Sequence, residues 1–336
     1  MTVAILVGVL LLAGTNGAND VSKGVATLAG SGVTRYRTAV AWGALTTLLG
    51  SLAAVWLGTS MLTLFSSGIV AAAPTPEFAL AVLAGVSVWV AAATLLRLPV
   101  STTHAIVGAL IGAGLLLDSK QVRWSALLTK VAIPLLASAA AAFAISAGVA
   151  VVARRIDAGA RTRPAAAARL YGGVPFVPVT RVPPAILTSL HWLSAGAVSA
   201  ARGLNDTPKL VAVGAFALVP AGMSIAGVTY LVAAAMCAGA VIVGIPVARR
   251  LGEGVVSLRH TEGLRANLVT ALLVGMGGAA GLPMSTTHVS TGAIAGTSGT
   301  ELTRLNTRTL RDFAVAWTVT PFVAALVAAG VYLLLR

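Results

Sequence analysis

A chain of 336 residues that is 57% hydrophobic and only 10% charged cannot cover a soluble core with its own polar side chains, since soluble domains carry about 25% charged residues. Its mean hydropathy of +0.94 makes the bilayer the solvent for most of its surface. The net charge of +14 sits in short gaps between apolar runs and forms no basic face, which sets nucleic acid aside and follows the positive-inside pattern.

The stretch from Met1 to Thr15 is apolar but lacks a positive leader, and polar residues rather than a small-residue cleavage site follow it. It reads as the start of a first membrane helix, not as a signal peptide. Runs near the ~20 residues needed to cross hydrocarbon occupy 39–60, 78–96, 125–153, 210–220 with 224–248, 266–282 and 312–335. Shorter pieces at 2–15, 24–33, 100–117, 187–201 and 286–298 predict broken helices and two re-entrant helical hairpins, 99–117 and 283–298. Irregular backbone at membrane depth is tolerated only inside protein or against a cavity. The fold class expected is therefore an all-α membrane protein.

The one long polar segment, 154–185, carries Arg154, Arg155, Arg161, Arg163, Arg169 and Arg181 against the single acid Asp157. It is expected to be a cytoplasmic linker between a first unit, 1–153, and a second, 186–336. The stretch 249–265 mixes charge with isolated apolar residues and is expected along the membrane interface. Of the six tryptophans, Trp124 adjoins a charged loop and suits an interfacial anchor. Cys237 is the only cysteine, so neither a disulfide nor a thiolate metal site is available. His191 and His260 fall in or near expected loops and suggest no role.

Two motifs recur. Asn19-Asp20-Val21-Ser22-Lys23 is matched by Asn205-Asp206-Thr207-Pro208-Lys209, and Pro99-Val100-Ser101-Thr102-Thr103-His104 by Pro283-Met284-Ser285-Thr286-Thr287-His288. The Asn-to-Ser spacing is 82 residues in the first half and 80 in the second. Two unlike motifs in the same order at nearly the same separation mark an internal duplication.

Each motif carries a chemistry. An Asp or Lys at bilayer depth costs about 2.5–3.5 kcal/mol on insertion scales, which makes sense if Asp20, Lys23, Asp206 and Lys209 face each other, an ion or water. An i,i+3 ion pair would account for the charges but not for Asn19 and Asn205, whose amide oxygens suit a hard cation. Gly14, Gly17 and Gly24, and Gly203 with Pro208, predict an unwound helix at each copy. In the second motif, proline ahead of a Ser/Thr cluster is a helix start. Ser101, Thr102, Thr103, Ser285, Thr286 and Thr287 add hydroxyl donors to first-turn N–H groups, which is an anion-binding end. Two such ends can converge on one anion near the midplane, as in repeat transporters. His104 and His288 are candidates to touch the anion, relay a proton or brace the hairpin.

These motifs resemble those of the inorganic phosphate transporter (PiT) family over both halves, about 1–150 and 186–336. The resemblance implies an inverted-repeat membrane transporter fold, a homodimer, a cell-membrane location, and no enzymatic activity or catalytic residue. It also implies phosphate between the hairpin ends, bound by Ser101, Thr102, Thr103, Ser285, Thr286 and Thr287, with sodium or protons as coupling ions at Asn19, Asp20, Asn205 and Asp206. No other cofactor is expected. Sodium-coupled members resemble Asn-Asp-Val-Ala-Asn; here Lys23 and Lys209 hold the final position, which favours protons over sodium and adds both lysines to the substrate site.

A sulfate or other oxyanion permease and an anion channel would use the same helix ends. An intramembrane serine hydrolase, suggested by Gly296-Thr297-Ser298-Gly299, leaves the duplication without a purpose. The charge of 154–185 makes a topological prediction. Gly172→Cys, in a Cys237→Ala background, should resist impermeant thiol reagents added to right-side-out vesicles. Rapid labelling from outside would invert the assigned topology.

Overall fold

A computed structural model of the chain describes residues 1–170 and 183–336. Within them the helices, in order, are α1 (Thr2–Asp20), α2 (Ser22–Gly30), α3 (Tyr36–Leu57), α4 (Thr59–Thr63), α5 (Pro76–Leu95), α6 (Thr102–Asp118), α7 (Trp124–Ala126) and α8 (Ile133–Leu170). They continue with α9 (Pro184–Leu218), α10 (Ile225–Val243), α11 (Ile245–Gly254), α12 (His260–Ala279), α13 (Thr286–Gly296) and α14 (Thr307–Leu335). Extended structure among the described residues amounts to one isolated bridge, Val70 with Val122. Seven helical stretches among them are long and apolar enough to cross a membrane, by length and composition. The distribution of side chains suits that solvent. Leu95, Ile242, Leu326 and Leu334 are exposed, whereas Asp20, Lys23, Arg202, Asp206 and Lys209 are buried.

Helix ends follow local chemistry. α5 begins with Pro76 behind Thr75, whose hydroxyl accepts from the Phe78 N–H at 3.2 Å. Ser224 caps α10 by accepting from Gly227 N–H at 3.0 Å, and Asn306 caps α14 by accepting from Thr309 N–H at 3.1 Å. Each such cap satisfies a donor that the helix leaves orphaned. Around them α3 packs along α9, α1 along α10, α5 and α6 along α14, α12 along α9, and α13 along α8.

Three expectations are corrected. The short pieces 2–15 and 24–33 belong to one nearly continuous helical stretch, Thr2–Gly30, interrupted only at Val21, which keeps α-helical dihedrals. The piece 187–201 is part of the 35-residue α9, which runs through Asn205-Asp206 with Pro208 inside it. The Asn-Asp segments are therefore helical, not unwound. Their glycines are there for close packing: a Cβ on Gly17 would lie 1.9 Å from Met236 O, one on Gly24 1.9 Å from Ser199 Oγ, and one on Gly203 2.3 Å from Thr47 O. Proline costs a helix one hydrogen bond, but α9 continues through it.

The basic segment 154–185 begins inside α8, which continues to Leu170. Residues 171–182 lie outside the described residues, and the segment ends at the start of α9. Arg154 binds the end of the α13 region, with Nη2 donating to Ser298 O at 2.7 Å and Nη1 paired to Glu301 at 2.8 Å. Trp124 and Trp56 are exposed as interfacial anchors would be, whereas Trp42, Trp89 and Trp317 donate to Trp192 O, Thr320 and Pro99 O inside the bundle.

The α3–α9 seam is testable. Gly203→Val forces a side chain into the Thr47 carbonyl, and overpacking of this kind costs about 1–3 kcal/mol. Gly148→Ala meets nothing within 4 Å. Thermal unfolding in detergent should fall for the first and stay at the wild-type value for the second.

Candidate functional site

The second motif sits at the connection of a helical hairpin in each half: residues 96–101 join α5 to α6, and 280–285 join α12 to α13. Ser101 and Ser285 are the N-caps of α6 and α13, accepting from His104 N–H and His288 N–H at 3.3 Å in both cases. The serines are thus occupied by the helix starts themselves.

The Asn-Asp motif holds these connections in place. Asn19 Nδ2 donates to Leu98 O at 2.9 Å, and its Oδ1 accepts from Val100 N–H at 3.0 Å. Asn205 does the same in the other half: Nδ2 donates to Met284 O at 3.0 Å and Oδ1 accepts from Met284 N–H at 3.3 Å. Val100 and Met284 are the same position of the repeated motif. In this geometry the amides that suggested cation ligands bind the hairpin backbone.

Both charge pairs are three residues apart, Asp20–Lys23 across the α1–α2 junction and Asp206–Lys209 within α9. Lys23 Nζ is paired with Asp20 and also donates to Asn19 O at 3.1 Å. Lys209 Nζ lies 3.1 Å from Asp206 Oδ1 and donates to Thr103 Oγ1 at 2.8 Å and Met284 O at 3.3 Å. Neither lysine reaches an interface; both are buried. Each pair at this depth repays its desolvation only with additional hydrogen bonds, and both have them.

The halves meet here. Lys209 of the second half bonds Thr103 of the first, Thr287 donates to Val100 O at 2.6 Å, and the His104 and His288 rings stand edge to face at 4.8 Å. Trp317 packs on His288 at 4.1 Å between centroids. Thr102 Oγ1 lies 3.5 Å from Asp20 Oδ2, and Thr286 is buried at the start of α13. The two helix starts, both aspartates and both lysines therefore belong to one buried centre.

Two residues of this centre escape the motif search. Asn16 Nδ2 donates to Asp20 Oδ2 at 3.1 Å and to Thr102 Oγ1 at 2.9 Å. Arg202 is fully buried, and its charge interacts with both Asp20 and Asp206. The signal was available: an ionisable residue inside an apolar stretch is by default a functional candidate, and Asn16 and Arg202 both stand three residues before a motif Asn. His191 also corrects its reading as a loop residue. It is buried on α9, stacks on His260 at 5.0 Å and lies 3.3 Å from Thr27 Oγ1. Ser298, the serine of the hydrolase reading, is buried with a hydroxyl that has no partner among the described residues, so no base activates it. The described residues contain no group of three or more His, Cys, Asp or Glu that could hold a metal ion.

The fold and this centre define an integral membrane protein of many helices, organised around a buried ionic core rather than an enzyme's nucleophile and base. The model of the phosphate transporter family matches residues 16–328, and the chain belongs to that family, whose members are transporters and not enzymes. It is 30% identical over 329 residues to a Mycobacterium bovis protein named "Probable low-affinity inorganic phosphate transporter", covering 95% of this chain and 73% of that one. A Rhizobium meliloti protein of the same name is 27% identical over 329 residues, covering 94% of this chain and 91% of the relative. A solved structure titled "The sodium-dependent phosphate transporter" shares the fold, with a TM-score of 0.79 over 99% of this chain and 98% of the other at 22% identity.

The asparagine clamp predicts its own test. Asn19→Ala orphans Val100 N–H and Leu98 O, and each buried unsatisfied group costs about 1–3 kcal/mol. Hydrogen exchange at the Val100 amide should accelerate and the melting temperature should fall. Unchanged exchange would remove the clamp.

Proposed function

We propose that the protein carries inorganic phosphate across the cell membrane, with the anion held between the starts of α6 and α13 and coupled to protons rather than sodium. The observation that carries this reading is the pairing of both buried aspartates with lysines three residues on, Asp20 with Lys23 and Asp206 with Lys209. A sodium ion at either aspartate would meet a cation already in place. The helix starts contribute roughly half a positive charge each, which suits an anion, and Thr102, Thr103, Thr286 and Thr287 add hydroxyls. Protons can be accepted by His104, by His288 or by a buried lysine that gives its proton up. Asn19 and Asn205 act by holding the hairpins, and Asp20 and Asp206 by holding the lysines.

In the same reading the two duplicated units, 1–153 and 186–336, are related by inversion across the membrane, the hairpins are re-entrant, and the transporter is a homodimer. Matching clamps at Val100 and Met284 support the equivalence of the halves.

The test is radiolabelled phosphate uptake into proteoliposomes, with imposed proton and sodium gradients compared separately and sulfate as competitor. Wild type should take up phosphate in sodium-free choline buffer and respond to the proton gradient. Asp20→Asn and Asp206→Asn should each abolish uptake while remaining folded. A strict sodium requirement in wild type would overturn the coupling, and full activity of either aspartate variant would overturn the site.

A further inference from the structure

Arg202 lies outside both repeated motifs, yet it is 0% exposed in the middle of α9. A guanidinium remains protonated in proteins, and a buried charge without partners is strongly unfavourable. Even so, Nε, Nη1 and Nη2 all lack a hydrogen-bond partner among the described residues. Asp20 is engaged by Lys23, and Asp206 by Lys209 through Oδ1, while Asp206 Oδ2 lacks a hydrogen-bond partner among the described residues as the guanidinium does. The Arg202 charge interacts with Asp20 from the first half, Asp206 from the second, and Cys237 on α10. The lysine of the first motif, Lys23, feels it as well. Its charge is thus within electrostatic reach of an aspartate from each half.

The duplication says where it belongs. Asn16 precedes Asn19 by three residues, and Arg202 precedes Asn205 by three. Asn16 reaches Asp20 and the Thr102 hydroxyl at the start of α6. By that equivalence Arg202 occupies, four residues before Asp206 on α9, the position from which Asn16 reaches the hairpin start in the first half. The first half thus carries a neutral amide that is bonded, and the second half carries a cation that is not.

We propose that Arg202 is a direct ligand of the transported anion, its planar fork taking two oxygens of a tetrahedral oxyanion between the halves. This rests on the reading of the chain as a phosphate carrier. Guanidinium matches two oxygens of phosphate at once, which a lysine cannot do. The first-turn N–H groups of α13 and the Thr286 hydroxyl supply donors to the remaining oxygens. The charge count agrees. Each Asp–Lys pair is neutral, so Arg202 and the two helix starts together hold about +2, which the doubly charged form of phosphate balances without a metal cation. His104 and His288 are the other titratable groups of the centre, and both stand on the α6 and α13 starts.

Arg202→Gln and Arg202→Lys distinguish a ligand from a structural counter-charge. Purified proteins are compared by thermal unfolding with and without inorganic phosphate, and reconstituted proteins by KM and maximal rate of phosphate uptake. Phosphate should raise the melting temperature of wild type but not of Arg202→Gln, whose KM should rise roughly ten- to hundredfold, as loss of a charged hydrogen-bond donor implies. Arg202→Lys, which keeps the charge but not the fork, should fold and show an intermediate KM, so the inference stays testable if the glutamine variant does not fold. A wild-type KM in Arg202→Lys, or unchanged phosphate stabilisation in Arg202→Gln, would overturn it. So would a fall in maximal rate and stability with KM unchanged. Failure of wild type itself to take up phosphate would overturn the functional reading instead, and is read in the same vesicles.

Discussion

Irregular backbone inside a membrane must find every hydrogen-bond partner within the protein, because hydrocarbon offers none. Two irregular connections, 96–101 and 280–285, run into the buried centre of this chain at Ser101 and Ser285. Asn19 and Asn205 answer the demand, each binding the backbone of the connection in its own half through one carboxamide. The helix starts that follow can then present their first-turn N–H groups and threonines at a fixed position. Ser101 and Ser285 close the caps, so the positions after them are set to within one residue.

The ionic groups obey the same economy. A lone carboxylate or ammonium in this environment is far too costly, and an ion pair is tolerable only with further hydrogen bonds around it. Lys209 has them from Thr103 and Met284, and Lys23 from Asn19. Because Lys209 and Thr103 come from different halves, the pair also ties one hairpin to the other. Rearranging the hairpins would therefore have to exchange these hydrogen bonds for others, which is how a buried centre of this kind can have two discrete states rather than a continuum.

Duplication supplies the two-sided geometry, and divergence supplies the asymmetry. Equivalent residues do equivalent work at Asn19 and Asn205, at Ser101 and Ser285, and at Lys23 and Lys209. They part at Asn16 and Arg202, where one half holds a bonded amide and the other an unpartnered cation. Thr102 and Thr286 differ similarly, the first lying beside Asp20 and the second buried without that neighbour.

The membrane class, the all-helical fold and the duplicated motifs were legible in the sequence, because apolar run length and charge placement follow directly from the energetics of a bilayer. The helix starts at Ser101 and Ser285 were legible too, since capping is local and depends on a few adjacent residues. Helix continuity was not. Gly17, Gly24, Gly203 and Pro208 read locally as breakers, but close approach of α10, α9 and α3 turns the glycines into contact points, and α9 continues through the proline. The hydrogen bonds of Asn19 and Asn205 were hidden for a similar reason: an amide suits many partners, and these come from residues about 80 positions away. His191 likewise has no local signature, and its place comes from the packing of α9 against Thr27 and His260. What the sequence by itself determined is which residues could not face lipid; what only the tertiary structure decided is which of them face one another, because that depends on contacts between segments far apart in the chain.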